Sequence, residues 1–180
     1  MPAIAANLIL FKVVWALNLY GAVTNTVWIG GAGLTVFVIW HLYSSKTVKV
    51  DLRVAVCASC IGLTLDTLYL RSGLLEYSGQ IVGSNFAPVW IVILWFNLSL
   101  TLNGCMRWLQ TRLRLAALLG LVFGPVSYFG GITIGAATLV GNPFILYPAI
   151  GIAWAITLPL LLLLASRRIE NGDNAALALS

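Results

Sequence analysis

Six apolar runs of helical length alternate with short polar gaps along the chain, and their spacing predicts a bundle of about six helices. The first run, from about Ile4 to Val23, and the second, from about Val27 to Tyr43, are separated only by Thr24-Asn25-Thr26 and read as a helical hairpin. A polar gap from Ser44 to Arg53 reads as a loop, and a third helix is expected from about Leu52 to Leu70. The fourth is expected from about Phe86 to Trp108, the fifth from about Leu115 to Ala136 and the sixth from about Pro143 to Ser166. Pro88 suits a first helical turn, whose N–H groups lack helical partners. Gly30, Gly31 and Gly33 predict either a late start of the second helix or close packing of another helix on it. Trp28, Trp40 and Tyr43 fall where the second helix would meet the two membrane interfaces.

Composition fixes the class: 61% of residues are apolar and 8% charged, too much hydrophobic surface for one soluble core. The expected fold is all-α, a polytopic transmembrane bundle over residues 1–168 with a loose cytoplasmic tail over 169–180. The net charge of +5 does not point to nucleic acid, because the basic residues lie in the gaps between apolar runs. Lys46, Lys49, Arg53, Arg107, Arg112, Arg114, Arg167 and Arg168 fall in gaps or ends of one parity and Arg71 alone in the other. That asymmetry predicts both termini in the cytoplasm. The uncharged start Met1-Pro2-Ala3-Ile4, with Lys12 inside the first run, predicts that this segment stays as a helix and is not cleaved.

Charge is scarce, so its exceptions are the candidates for chemistry. The stretch from Gly62 to Asn97 carries Asp66 near the outer end of the third helix and Glu76 in the following loop. An ionised group in a bilayer costs about 2.5–3.5 kcal/mol on insertion scales, which makes it a functional-site candidate. Asp66 has three options: ionised against Arg71, ionised against a cation such as Lys12, or protonated through desolvation. Its structural reading is a lock on packing, through Arg71 or through hydrogen bonds from neighbouring helices. Its functional reading is an acid or anchor, with Tyr69, Glu76 and Tyr128 as candidate partners in catalysis. Glu76 most simply reads as a solvated carboxylate, in a loop whose Leu74, Leu75 and Tyr77 could fold back over the bundle.

Lys12, Asn18, Arg71, Trp90, Trp95 and Asn97 are the candidates for contact with a ligand. Lys12 reads either as snorkelling to the inner headgroups or as a cation facing the bundle, and Asn97 with Thr101 most simply as interhelical glue. Trp90, Trp95 and Trp154 could line an apolar or isoprenoid-shaped cavity. Cys57-Ala-Ser-Cys60, Cys105 and His41 fall at one depth, but a zinc site would have to gather them from three helices. Free thiols, no metal and no cofactor are expected. Gly120, Gly124, Ser127, Gly131 and Gly135 recur at steps of three and four on the fifth helix, a ridge on which another helix or a second copy could pack through Gly120, Gly124 and Gly131. Gly124-Pro125 predicts a kink there.

Gly62-Leu63-Thr64-Leu65-Asp66, Pro88-Val89-Trp90 with Leu94-Trp95, and Gly124-Pro125-Val126-Ser127-Tyr128 resemble a family of small multi-pass bacterial inner-membrane proteins catalogued as a domain of unknown function. The resemblance covers about residues 8–166. It implies the fold and no catalytic residue. The resemblance is to proteins encoded beside fatty-acid-modifying enzymes, which implies membrane lipids as partners or substrates, or a part in membrane-stress responses. A small proton- or cation-coupled permease and a non-catalytic assembly partner are the alternatives.

Overall fold

The computed structural model describes residues 2–79 and 85–177, with side chains described over 3–79 and 85–166. Among the described residues six α-helices follow in chain order: α1 (Pro2–Val23), α2 (Trp28–Ser44), α3 (Val48–Arg71), α4 (Val89–Ser99), α5 (Leu113–Ile134) and α6 (Pro143–Leu177). The all-helical bundle expected from the apolar spacing is therefore what forms. Over Ala3–Val23, Leu113–Ile134 and Pro143–Ser166 the helices are long and apolar enough to cross a membrane. Large apolar side chains such as Phe123, Phe129 and Ile156 remain exposed on them, surface that water would not tolerate in such quantity.

The α1–α2 hairpin turns through Asn25, which takes the left-handed conformation at φ 56°, and α2 starts without delay at Trp28. Its glycines instead permit close approach. Gly30 receives the Asn18 side chain and Gly33 receives Leu17, both from α1. The third helix begins a turn earlier than its apolar run, so Asp51 belongs to α3 rather than to a loop.

The fourth helix departs most from expectation. In place of a helix to Trp108, α4 stops at Ser99, about 16 Å long at 1.5 Å per residue, and turns follow up to a short 3-10 segment at Arg107–Leu109. Hydroxyls compete for the ladder there: Ser99 Oγ donates to the Phe96 carbonyl and Thr101 Oγ1 to that of Leu98, each at 2.6 Å. Side chains from elsewhere satisfy the freed groups. Asn7 Nδ2 donates to the Leu100 carbonyl at 3.1 Å, the Cys105 N–H donates to Asn7 Oδ1 at 3.1 Å, and Gln110 Nε2 donates to the Leu102 carbonyl at 3.1 Å. Irregular backbone inside an apolar bundle survives only with such partners.

At the far end of the bundle two short strands pair antiparallel: β1 (Leu75–Tyr77) from the α3–α4 connection and β2 (Ala137–Leu139) from the α5–α6 connection. Strand alternation turns Leu75 and Tyr77 inward and Glu76 outward. Gly79, just past β1, abuts Ala22 and Val27, so the α1–α2 turn shares this end. The start of α1, through Asn7, and the α2–α3 corner, through an Asn103–Asp51 bond, meet the irregular segment at the other end. The sixth helix runs beyond Ser166 to Leu177, so the segment expected as a loose tail is helical over 169–177, where Ala175-Ala176-Leu177 favours helix.

Candidate functional site

The centre of the molecule is assembled from two matching helical steps. On α3, Gly62 lies one turn before Asp66, and on α5, Gly124 lies one turn before Tyr128, so each pair shares a face. Each glycine seats a tryptophan. A Cβ at Gly62 would fall inside the Trp95 indole, and one at Gly124 would stand 2.6 Å from Trp154 Cγ. Trp95 of α4 and Trp154 of α6 stack on each other with ring centroids 4.8 Å apart, closing a layer that runs from α3 through α4 and α6 to α5.

Asp66 sits above this layer with no exposed surface. Its Oδ1 accepts from Tyr128 Oη at 2.6 Å and from Tyr77 Oη at 2.7 Å, and its Oδ2 accepts from Trp95 Nε1 at 2.9 Å. Burial, and then the nearby Asp66 carboxyl, push the Tyr77 phenol up from its ordinary value, so it remains a donor. Trp90 packs edge-on to Tyr77 at 5.9 Å and donates from Nε1 to the Ser78 carbonyl at 2.8 Å, which fixes the strand that delivers Tyr77.

Arg71 does not neutralise Asp66. Its Nε donates to the Asn85 carbonyl at 3.0 Å and its guanidinium lies over the Phe86 ring at 5.3 Å. Among the described residues no lysine or arginine pairs with a carboxylate, so the carboxyl of Asp66 is held by neutral donors. Of the structural options read from the sequence, hydrogen bonding between elements is the one realised.

A cavity of about 690 Å³ opens beside Asp66. Tyr128, Trp15, Trp90, Trp95 and Trp154 form much of its wall, and Lys12 is its one basic residue. Gly130 and Gly131 of α5 also border it, with nothing within 4 Å of where their Cβ atoms would stand. The glycine ridge is thus divided: Gly120 and Gly124 are filled by Trp154 of the same chain, and Gly131 opens on the cavity.

The remaining candidates scatter. Tyr69 is buried edge-on to Tyr128 at 6.0 Å, its hydroxyl without a partner. Glu76 faces outward on β1. Asn18 packs on Gly30 and donates to the Val14 carbonyl, and Asn97 donates to the Phe11 carbonyl at 3.0 Å, the interhelical role expected of it. His41 bonds Asp51, and among the described residues no group of three or more His, Cys, Asp or Glu side chains gathers where a metal ion could be held. Cys57, Cys60 and Cys105 are free.

Two positions around Asp66 escaped the sequence reading. Tyr77 was legible only as part of a loop, although the alternation Leu75-x-Tyr77 is the signal of a strand with one buried face. Gly62 carried no signal beyond its spacing from Asp66. Its role predicts a measurable effect: Gly62→Ala is expected to displace Trp95, cost about 1–3 kcal/mol through overpacking and weaken the Trp95–Asp66 bond. Gly130→Ala, with open space around it, should be near neutral. Thermal unfolding in detergent with near-ultraviolet circular dichroism of the stacked indoles reads both, and equal stability of the two variants would refute the seat.

A family model described as a protein of unknown function (DUF2878) matches residues 4–160. No curated protein and no solved structure gives a significant match to the chain.

Proposed function

The chain belongs to this family of proteins of unknown function, DUF2878, and from its own site we propose that it is a multi-pass protein of the bacterial inner membrane that binds, and acts on or with, a membrane lipid or isoprenoid, Asp66 being the polar working group. The observation that carries the reading is the placement of Asp66. A carboxyl group without a cation partner is held by two phenols and an indole at the wall of a cavity otherwise built largely of aromatic and aliphatic side chains. Such a cavity suits a hydrocarbon chain, and a preorganised carboxyl offers it one oriented polar contact. Both termini lie on the cytoplasmic side in this reading, with the sheet end and Asp66 in the outer half.

Gly131 supplies a test that separates occupancy from folding. Gly131→Leu projects into open space and gains helix propensity of about 1 kcal/mol, so the protein should fold as well as the parent with its cavity partly filled. Lipid profiles of a deletion strain are expected to differ from the parent, to be restored by the wild-type gene, and not to be restored by Gly131→Leu or Asp66→Asn. Identical profiles in all four strains under several membrane stresses would remove the lipid reading.

A second reading has one specific observation behind it. The break of α4 after Ser99, with Leu98 and Met106 on the cavity wall, is the kind of discontinuity found at the substrate sites of secondary transporters. A small proton- or cation-coupled permease would show flux into proteoliposomes that follows an imposed gradient and disappears in Asp66→Asn. A lipid-acting protein would show none.

A further inference from the structure

Lys12 stands midway along α1, ten residues after Pro2 and eleven before Val23, on the wall of the same cavity as Asp66. At 1.5 Å per residue each end of the helix is about 15 Å away, and the side chain is exposed rather than packed in the bundle. Its Nζ lies 5.6 Å from the centroid of the Phe11 ring. Among the described residues no carboxylate pairs with it. Asp66 does not do so: its oxygens accept from Tyr77, Tyr128 and Trp95 instead. A cation on the wall of an otherwise largely apolar cavity, with no carboxylate to pair it, calls for an anionic partner.

We propose that Lys12 anchors the head group of an amphiphile with a single anionic head, a carboxylate or a phosphate, whose apolar chain lies along the tryptophan-lined wall toward Asp66. The inference rests on the reading of the cavity as a lipid site and adds to it the charge and the orientation of the ligand. Lys12 attracts an anion and repels an ammonium head, while Trp15, Trp95 and Trp154 supply contact area for the chain. The orientation has a consequence for chemistry: the group that Asp66 meets lies on the chain, not on the head.

The test uses the full chain in detergent micelles and quenching of its tryptophans by chain-brominated amphiphiles of one length: a fatty acid, an alkyl phosphate, an alcohol and an alkylamine. The quantity read is the change in apparent affinity that Lys12→Gln makes for each, which cancels partitioning into the micelle. For the acid, the phosphate or both, Lys12→Gln is expected to weaken binding at least tenfold and Lys12→Arg less than threefold, and the arm that responds identifies the head. The alcohol should change little and the amine should bind the variant better. Asp66→Asn should leave the preference for the anionic head in place. Inorganic phosphate alone should not displace the brominated ligand. Equal affinities for acid, phosphate and alcohol in wild type and Lys12→Gln would overturn the anchor and leave the lipid reading standing. Absence of saturable quenching by any of the four would overturn both.

Discussion

Asp66→Leu is expected to destabilise the protein by about 2–6 kcal/mol, because it strands three donors, two of them buried with nowhere else to turn. Tyr77 and Trp95 are 6% and 4% exposed, so neither polar group gains water when the acceptor is lost. The lower bound comes from interhelical hydrogen bonds in membranes, whose net worth averages about 0.6 kcal/mol each. The upper bound comes from the cost of about 1–3 kcal/mol for a buried donor left unsatisfied. Asp66→Asn should fall between, since the amide oxygen can still accept from both phenols while its NH₂ faces the Trp95 N–H.

The decisive comparison removes the donors as well. Adding Tyr77→Phe and Tyr128→Phe to Asp66→Leu takes away both stranded hydroxyls and should recover part of the stability lost, since replacing all partners by apolar groups is far cheaper than removing one. Stability is read by thermal or denaturant unfolding of the purified protein in one detergent. A triple variant no more stable than Asp66→Leu alone would show that the phenols do not depend on the carboxyl. Any loss of function in the triple variant at recovered stability then belongs to the hydrogen-bonded group of carboxyl and phenols and not to misfolding.

The parts of this arrangement that could be read in the sequence are those written at helical spacing. Asp66 stood out because one acid in an apolar run is costly, and Tyr128 because it shares the depth of Asp66 on a glycine-rich helix. The reach of Trp95 to Asp66 depends on Gly62 leaving room for the indole, and a missing side chain gives no periodic signal. Tyr77 arrives through a three-residue strand paired with residues about 60 positions away, too short for alternation to outweigh the look of a loop. The end of α4 was hidden for a related reason. Its apolar run continues past Ser99, and what stops the helix is competition from hydroxyls and from Asn7, about 90 residues away in the sequence.

Asp51 is the other carboxyl whose setting appears only in three dimensions, and its removal should be nearly as costly. It is 2% exposed and lies in the first turn of α3, ahead of the apolar run that begins at Leu52. Its Oδ2 accepts from His41 Nε2 and Ser45 Oγ, each at 2.8 Å, and from Thr47 Oγ1 at 2.9 Å, while Oδ1 accepts from Asn103 Nδ2 at 2.7 Å. Gln110 Nε2 donates in turn to Asn103 Oδ1 at 2.6 Å, so one carboxylate ties the α2–α3 corner to the irregular segment after α4. Asp51→Ala is expected to cost about 3–5 kcal/mol, the loss seen when one partner of a buried pair is removed.

The same cluster predicts a pH dependence whose sign follows from the shift. Burial alone would raise the Asp51 carboxyl, but the hydrogen bonds from His41, Asn103, Ser45 and Thr47 together outweigh it and hold the pKa below the ordinary value of 3.8. A depressed pKa gives stability that is complete above the unfolded carboxyl's pKa of about 3.9 and is lost as pH falls through the lower folded value. The difference in unfolding free energy between wild type and Asp51→Asn should therefore shrink on acidification below about pH 4. Parallel acid profiles for the two proteins would remove the cluster as a source of acid sensitivity. Because Leu98 and Met106, which flank the pinned segment, line the cavity, Asp51→Ala should also loosen the wall near Lys12. Binding of an anionic amphiphile should weaken in that variant even though none of its contacts to Lys12 or Asp66 has been altered.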